Sequence, residues 1–393
     1  METAGPATQR LDGASNDSLS SQQGVVSAFI RDPSLSALKR SPRAPADGSL
    51  ATTIYDIADQ ARVSIATVSR VFNDHPRVSD TTRRRVFRVA EQLGYEPHAS
   101  AQSLARQNTR LISAVVPMMT SYFFMEVLRG VQDRLDESAY DLLVYASRTL
   151  EKVDGQLGRA VQRGRADGLL LVSTPLTPPR ARRLAATRQG VVLVDAFHDG
   201  FDSVSVDNRR GGAEAVRHLI ARGHERIGLV LPVPGSVPAA DRRAGYADAL
   251  AEAGRAVDER LIVHADWDHE DHGYTRYAGY RGMQVLLERF ADDPAGRPTA
   301  VFVAADVMAL GALRAAREAG LSVPGDLDVV GFDDVASSAY VGLTTLRQPM
   351  YDMGKLAIEK LLRRLTEPDT PPSHTAFAPQ LVVRETTGGV AAV

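Results

Sequence analysis

From Leu111 onward, short apolar runs alternate with amphipathic stretches, and few architectures satisfy that pattern. The runs are LISAVV at 111–116, LLVYA at 142–146, GLLLV at 168–172 and VVLV at 191–194, then RIGLVL at 226–231, AVFVA at 300–304 and DVVGF at 328–332. Segments 123–137, 209–222, 241–253 and 306–319 carry apolar residues at helical spacing between them. A strand that is apolar along its whole length is covered on both faces. Such strands interleaved with helices predict doubly wound parallel sheets, an α/β fold.

At 393 residues and 44% hydrophobic content, the chain has room for two or three domains and a sizeable core. It has no cysteine, so disulfides and thiolate zinc sites are excluded. No apolar run reaches the length of a membrane span, and the N-terminus has no apolar signal core, so a cytoplasmic protein is expected. Residues 1–51 are rich in Ser, Ala, Gly, Asp, Gln and Pro, interrupted only by the short apolar patch Val25 to Ile30. That segment is too polar to build a core and is expected to be mostly disordered.

A second pattern runs from Thr53 to Asn73, TIYDIADQARVSIATVSRVFN. Thr53 with Asp56 resembles a helix-starting cap. Ile54, Ile57, Ala58 and Ala61 then share one helical face. Arg62 and Val63 make a corner, and Ser64 can cap a second helix carrying Ile65, Val68, Val71 and Phe72. Ser79 can cap a third helix with Val86, Val89, Ala90 and Leu93 on one face, stopped by Gly94. A small helical hairpin without a ligand fits this spacing as well as a helix-turn-helix does. The arginines at 70, 77, 83, 84, 85 and 88 favour a DNA-binding headpiece. The net charge of −2 conceals a local contrast, because residues 52–110 hold nine arginines against six acidic residues.

The segments ARVSIATVSRVFN, VSDTTRRRV and LGYEPHASAQSLA, in this order, resemble the lactose/galactose repressor (LacI/GalR) family of bacterial transcription regulators. The resemblance runs from about residue 52 to about 387; the tail 1–51 has no counterpart in the family pattern. It implies a helix-turn-helix headpiece at 52–96, a hinge helix and linker at 97–110, and an effector-binding and dimerisation core at 111–393. That core would be two periplasmic-binding-protein-like lobes joined by three crossings, lobe 1 at about 111–197 and 348–378, lobe 2 at about 198–347 and 379–388. By position, Ile65 and Ala66 open the recognition helix, where contact with thymine methyls is the available chemistry. Ser69 and Arg70 follow on the same face, and Arg70 can grip guanine bidentately. Arg77 is a further position that reaches DNA. Thr53, Tyr55, Ser64, Thr67, Asn73, Ser79 and Thr82 fall at backbone-contacting positions; for Ser79 an ordinary cap explains the residue equally well. In the hinge, Leu104 would be the wedge that unstacks the central base step, and Ala101 would let two hinge helices meet.

The resemblance also places an effector between the lobes. Phe123 and Phe124 occupy a double-aromatic position that suits a sugar face or a purine, and equally a buried helix start. Arg242, Asp306, Asp333 and Gln348 fall where the family directs polar groups into the cleft, and Trp267 resembles its sugar-stacking aromatic. Three residues depart from the pattern: Arg62 where the family usually has glycine, His98 where asparagine is common, and Ala305 where asparagine precedes the aspartate. A stretch near 268–278 is inserted beside the cleft. Asp266, Asp268, His269, Asp271 and His272 have metal-ligating side chains, but a solvated loop is the expected reading, with no metal and no cofactor.

Together these features imply a ligand-controlled repressor that binds a palindromic operator as a homodimer, with a sugar or sugar derivative as effector. The chain has no C-terminal leucine heptad tail, so a dimer is expected rather than a tetramer built that way. A corepressor-dependent regulator of the purine type, an activator, or a sugar-binding protein without a DNA role are the alternatives. No G-x-S-x-G elbow, P-loop or H-E-x-x-H motif points to an enzyme.

Overall fold

The computed structural model describes residues 52–72, 75–95, 108–146, 150–265 and 273–388. The tail 1–51, Asn73, the hinge segment with Ala101 and Leu104, and residues 266–272 with Trp267 lie outside the described residues. Among the described residues, no helix is long and apolar enough to cross a membrane.

Three helices come first: α1 (Ile54–Gln60), α2 (Ile65–Phe72) and α3 (Asp80–Gln92). The Asp56 carboxylate accepts the Thr53 backbone N–H at 2.8 Å and its hydroxyl at 2.7 Å, which fixes the start of α1. Ser64 Oγ accepts the Thr67 N–H at 3.1 Å and Ser79 Oγ the Thr82 N–H at 3.4 Å, so hydroxyls cap α2 and α3. Gly94 ends the third helix at φ +59°. Ile57, Ala58, Ala61, Val68, Val71, Val86, Val89 and Ala90 form one buried cluster among the three helices. Ile65 lies outside it, 42% exposed at the first residue of α2.

The core contains two six-stranded sheets. The first is built from β1 (Leu111–Val116), β2 (Asp141–Ala146), β3 (Gly168–Val172), β4 (Gly190–Val194), β5 (Asp202–Val206) and, much later, β11 (His374–Phe377). The second is built from β6 (Ile227–Leu231), β7 (Ile262–His264), β8 (Ala300–Val303), β9 (Asp328–Asp333), β10 (Thr344–Arg347) and β12 (Gln380–Val382). Their orders are β11-β5-β4-β3-β1-β2 and β12-β10-β9-β8-β6-β7. Among the described residues every pairing is parallel except β10 with β12. The all-apolar strands β3 and β4 are buried at every residue, as the unbroken hydrophobic pattern requires. The intervening helices are α4 (Tyr122–Leu135), α5 (Leu150–Ala160), α6 (Pro178–Ala185), α7 (Asn208–Ala221), α8 (Val237–Glu252), α9 (Arg276–Glu288), α10 (Asp306–Glu318), α11 (Ala336–Tyr340) and α12 (Met350–Thr366).

The chain passes between sheets after Val206, Arg347 and Phe377, and the Asp207 N–H donates to the Phe377 carbonyl at 2.8 Å, tying two crossings together. The first crossing therefore comes later than the 197/198 boundary read from the sequence. Strand β5, DSVSV, mixes polar and apolar residues and so does not look like a strand covered on both faces. It is buried because Asp202 is satisfied: its carboxylate accepts Arg364 Nη2 at 2.6 Å and the Ser373 N–H at 2.8 Å.

Helices α7 and α8 touch backbone to backbone. A Cβ on Gly212 would collide with the Arg242 main chain, and one on Gly245 with the Arg209 carbonyl, so neither position admits a side chain. This contact fixes where Arg242, on α8, stands relative to Asn208 at the start of α7.

At the corner of the headpiece, exposed Arg62 has φ +51°, the conformation that glycine adopts freely. A non-glycine residue there costs roughly 1–2 kcal/mol. Arg62→Gly is expected to stabilise the three-helix unit by about 1 kcal/mol, seen as roughly fivefold slower hydrogen exchange at the buried Val68 and Val86 amides. Unchanged or faster exchange would show that the corner carries no strain.

Candidate functional site

Strands of both sheets end at one cavity of about 320 Å³. Pro117 follows β1, Ser173 follows β3 and Asp195 follows β4; Ala305 lies just beyond β8, and Asp333 closes β9. Ligands of open parallel sheets bind in this place, outside the carboxyl ends of the strands. The backbone is strained there: Ser173 (φ +41°), Asp195 (φ +54°), Asp333 (φ +128°) and Asp334 (φ +59°) all leave the usual regions. Each such residue costs on the order of 1–3 kcal/mol, and the surrounding structure must hold it in place. For Asp334, Arg347 Nε (2.6 Å) and Arg384 Nη2 (2.7 Å) provide that hold.

Arg242 stands at the centre, only 3% exposed. Its Nε donates to Asn208 Oδ1 at 2.9 Å, and its Nη1 donates to the Ala304 carbonyl. The guanidinium lies 3.6 Å from the centroid of the Phe332 ring and 4.0 Å from Asp333 Oδ1. Gln348, on the second crossing, donates from Nε2 to Asp333 Oδ1 at 2.6 Å, which orients its amide. Ser173 Oγ donates to Asp195 Oδ2 at 2.8 Å. Two acceptors in this patch, Asp195 Oδ1 and Gln348 Oε1, are buried without any hydrogen-bond partner. Burial pushes the Asp333 carboxyl up to about 7 against the opposing pull of Arg242, and burial raises Asp195 in the same way.

Of the residues read from the sequence as effector contacts, Phe123, Phe124, Arg242, Asp333 and Gln348 all line this cavity. The two phenylalanines meet edge to face at 5.2 Å between centroids. Asp306 does not line it, which corrects the expectation. Its carboxylate is fully buried and accepts Ser338 Oγ (2.6 Å), Thr345 Oγ1 (2.6 Å) and the Val335 N–H (3.1 Å), so it braces the start of α10 against the β9–β10 connection. Its neighbours Ala305 and Val307 line the cavity instead. Trp267 lies outside the described residues. The sequence reading missed Asp195, Ser173 and Tyr274. Asp195 had a usable signal, since it directly follows the apolar run 191–194 as Asp333 follows 328–332. Tyr274, hydrogen-bonded to Ser236 at 2.7 Å, had none.

On the headpiece, Tyr55, Ile65, Ala66, Arg70 and Arg77 are exposed. Thr67 and Ser69 are half-buried. Thr53, Ser64, Ser79 and Thr82 all take part in the caps described above, so their hydroxyls already serve the fold. The outer face of α2 is left to Ala66 and Arg70, with Ile65 exposed at the helix start.

Residues 53–98 match the family described as bacterial regulatory proteins, lacI family, and residues 216–387 match the periplasmic binding protein-like domain. The ribose operon repressor of Haemophilus influenzae is 34% identical, over 85% of this chain and 98% of that protein. Among solved structures, the lac repressor dimer bound to operator and the anti-inducer ONPF is 30% identical with a TM-score of 0.71, covering 86% of this chain and 99% of that one. The transcriptional regulator CelR in complex with cellobiose is 31% identical with a TM-score of 0.61, covering 85% and 99%.

The raised Asp333 carboxyl has a consequence for stability. A buried acid whose folded pKa lies above its unfolded value binds more protons when folded, so its contribution to stability falls as pH rises between the two. For Asp333 that window runs from 3.8 to about 7. Asp333→Asn should flatten the decline in melting temperature across pH 4–7; a slope equal to wild type would show that Asp333 is not the group responsible.

Proposed function

Because the chain belongs to the lacI family of bacterial regulatory proteins, we propose that it binds a palindromic operator as a homodimer in the cytoplasm, under the control of a small carbohydrate held between its lobes. The chain is a ligand-responsive, DNA-binding regulator of transcription and not an enzyme. The observation that carries the carbohydrate reading is the cleft itself. It gathers Asp195 from the first lobe, Arg242 and Asp333 from the second and Gln348 from a crossing, and leaves two buried acceptors without partners. A hydroxylated ligand that donates to both acceptors engages the first lobe through Asp195 and a crossing through Gln348 at once. Its binding energy therefore favours one lobe arrangement over another. That solved relatives include a cellobiose complex and an operator-bound dimer supports the same reading.

In this reading, α2 lies in the major groove with Arg70 gripping guanine, and Ile65 and Ala66 against thymine methyls. Tyr55, Thr67 and Arg77 reach the backbone or flanking positions. Ser69 belongs to the base-reading face, and Thr53, Ser64, Asn73, Ser79 and Thr82 set the register. Leu104 and Ala101 act in the minor groove as a paired hinge. The effector either loosens this complex or tightens it, and a titration reveals which.

Operator fragments selected from a random pool and titrated by fluorescence anisotropy test the proposal. Arg70→Ala is expected to lose about 1–3 kcal/mol, roughly 5- to 150-fold in affinity, and to relax the preference at one base pair. Asp333→Ala should keep operator affinity and abolish the response to effector. Unchanged affinity in the first variant removes Arg70 from base reading, and a preserved response in the second removes Asp333 from the effector site.

A further inference from the structure

The amino ends of β1, β3 and β4 are bound together by two side chains. The Asp167 carboxylate accepts the Thr109 N–H at 2.9 Å and the Arg110 N–H at 2.8 Å, so it grips the end of the linker just before β1. The Asp167 main chain bonds Leu111 on one side and Gly190 on the other. Gln189 Nε2 donates to the carbonyls of Ala160 and Ala166, at 3.0 and 2.9 Å. Three segments are thereby clamped side by side: the linker end 108–110, the loop 161–167 and the turn 186–189.

These segments gather positive charge. Arg110, Arg159, Arg163, Arg165 and Arg188 are all exposed there, and among the described residues no carboxylate forms an ion pair with any of the five. Asp167, the acid in their midst, is taken up by the linker N–H groups. On the other side of β1, β2 begins at exposed Asp141, so the charge lies on the β3–β4 side of the linker. Helices α5 and α6 end at Ala160 and Ala185, and a cation in a last helical turn compensates the helix dipole, which accounts for Arg159. That effect fades beyond the last turn, and Arg163, Arg165 and Arg188 lie in the loops that follow. Like charges gathered on one edge repel each other, and a polyanion removes that cost.

We propose that this edge of the first lobe binds the sugar-phosphate backbone of the operator beside the hinge, with Arg163 and Arg188 on phosphates. The inference rests on the operator reading, in which Leu104 acts in the minor groove. Leu104 stands six positions before Arg110 in the sequence, and an extended chain of that length spans at most about 22 Å. The Asp167 clamp therefore holds the arginine loops within one short tether of the bound base step. Guanidinium groups fork onto phosphate oxygens, and each phosphate neutralised releases condensed counterions. Such contacts add affinity without adding base preference.

The test titrates the full chain against the selected operator between about 50 and 200 mM salt. The double variant Arg163→Gln/Arg188→Gln is expected to lower affinity for the operator and for its single-base variants by the same factor, about tenfold or more at the lower salt. The slope of log affinity against log salt should fall by about 2–4, for two phosphate contacts in each of two protomers. Arg260→Gln/Arg317→Gln removes the same charge from two exposed positions of the second lobe and should change neither quantity. Because the chain has no cysteine, Arg163→Cys also offers a unique attachment point for an iron–EDTA cleavage reagent. That probe is expected to cut the backbone near the centre of the operator, and the same probe on Arg317→Cys to leave it uncut. An unchanged salt slope in the first double variant, an equal loss in the second, or no cleavage from Arg163→Cys bound to operator overturns the inference and leaves the operator reading standing. If the wild-type chain shows no preference for any sequence in the pool, the operator reading fails and this inference falls with it.

Discussion

A buried guanidinium is tolerable only when its donors and its charge are matched. Arg242 meets that condition through groups from several parts of the second lobe: Asn208 at the start of α7, the Ala304 carbonyl after β8, the Phe332 ring, and Asp333 at the end of β9. Remove any one and the cation loses part of its compensation. The close approach of α7 and α8 at Gly212 and Gly245 puts Asn208 within its reach, so helix packing at Arg242's own backbone decides where the central cation sits.

The same economy of contacts explains the strain at the strand ends. Asp195 and Asp333 are turned into unusual backbone conformations in order to face the cleft, and burial then holds both carboxyls above their ordinary range. Such a site is stable in spite of itself. Its cost is offset by buried networks beside it, such as Asp306 with Ser338 and Thr345, and Asp334 with Arg347 and Arg384. Arg347 and Gln348 lie where the chain recrosses between lobes, so the anchor of the strained turn and a cavity-lining amide sit on the same crossing. A ligand that engages Gln348 acts directly on a segment that joins the lobes.

The headpiece solves a different problem with the same chemistry. Its helices are too short to be stable alone, so three capped starts and one small shared core hold them. With Val68 and Val71 turned inward, helical geometry leaves Ala66 and Arg70 outward, and Ile65 is exposed because it opens the helix one turn before Val68. The hydroxyls near the helix starts serve as caps first, and a phosphate can share them only as additional acceptors or donors.

How much of this was legible depends on how far apart the interacting residues are in the chain. The caps at Thr53, Ser64 and Ser79, the stop at Gly94, the headpiece core and the all-apolar strands follow from spacings of a few residues, where backbone geometry alone fixes which side chains meet. The motifs around 61–105 also carried the family, and with it the fold and the regulatory role. Positions such as Arg242, Asp333 and Gln348 could be placed at the cleft by resemblance. Burial and partnership over long separations could not be read that way. Strand β5 looked like a polar connection until Arg364 and Ser373 were brought to Asp202. Asp306 looked like a ligand contact until Ser338 and Thr345 closed around it. The charge on Asp333 and the orphaned acceptors of Asp195 and Gln348 exist only once both lobes are folded. Local sequence sets which conformations each segment prefers; which polar atoms remain without a partner is decided by distant segments arriving, or not arriving, at the same place.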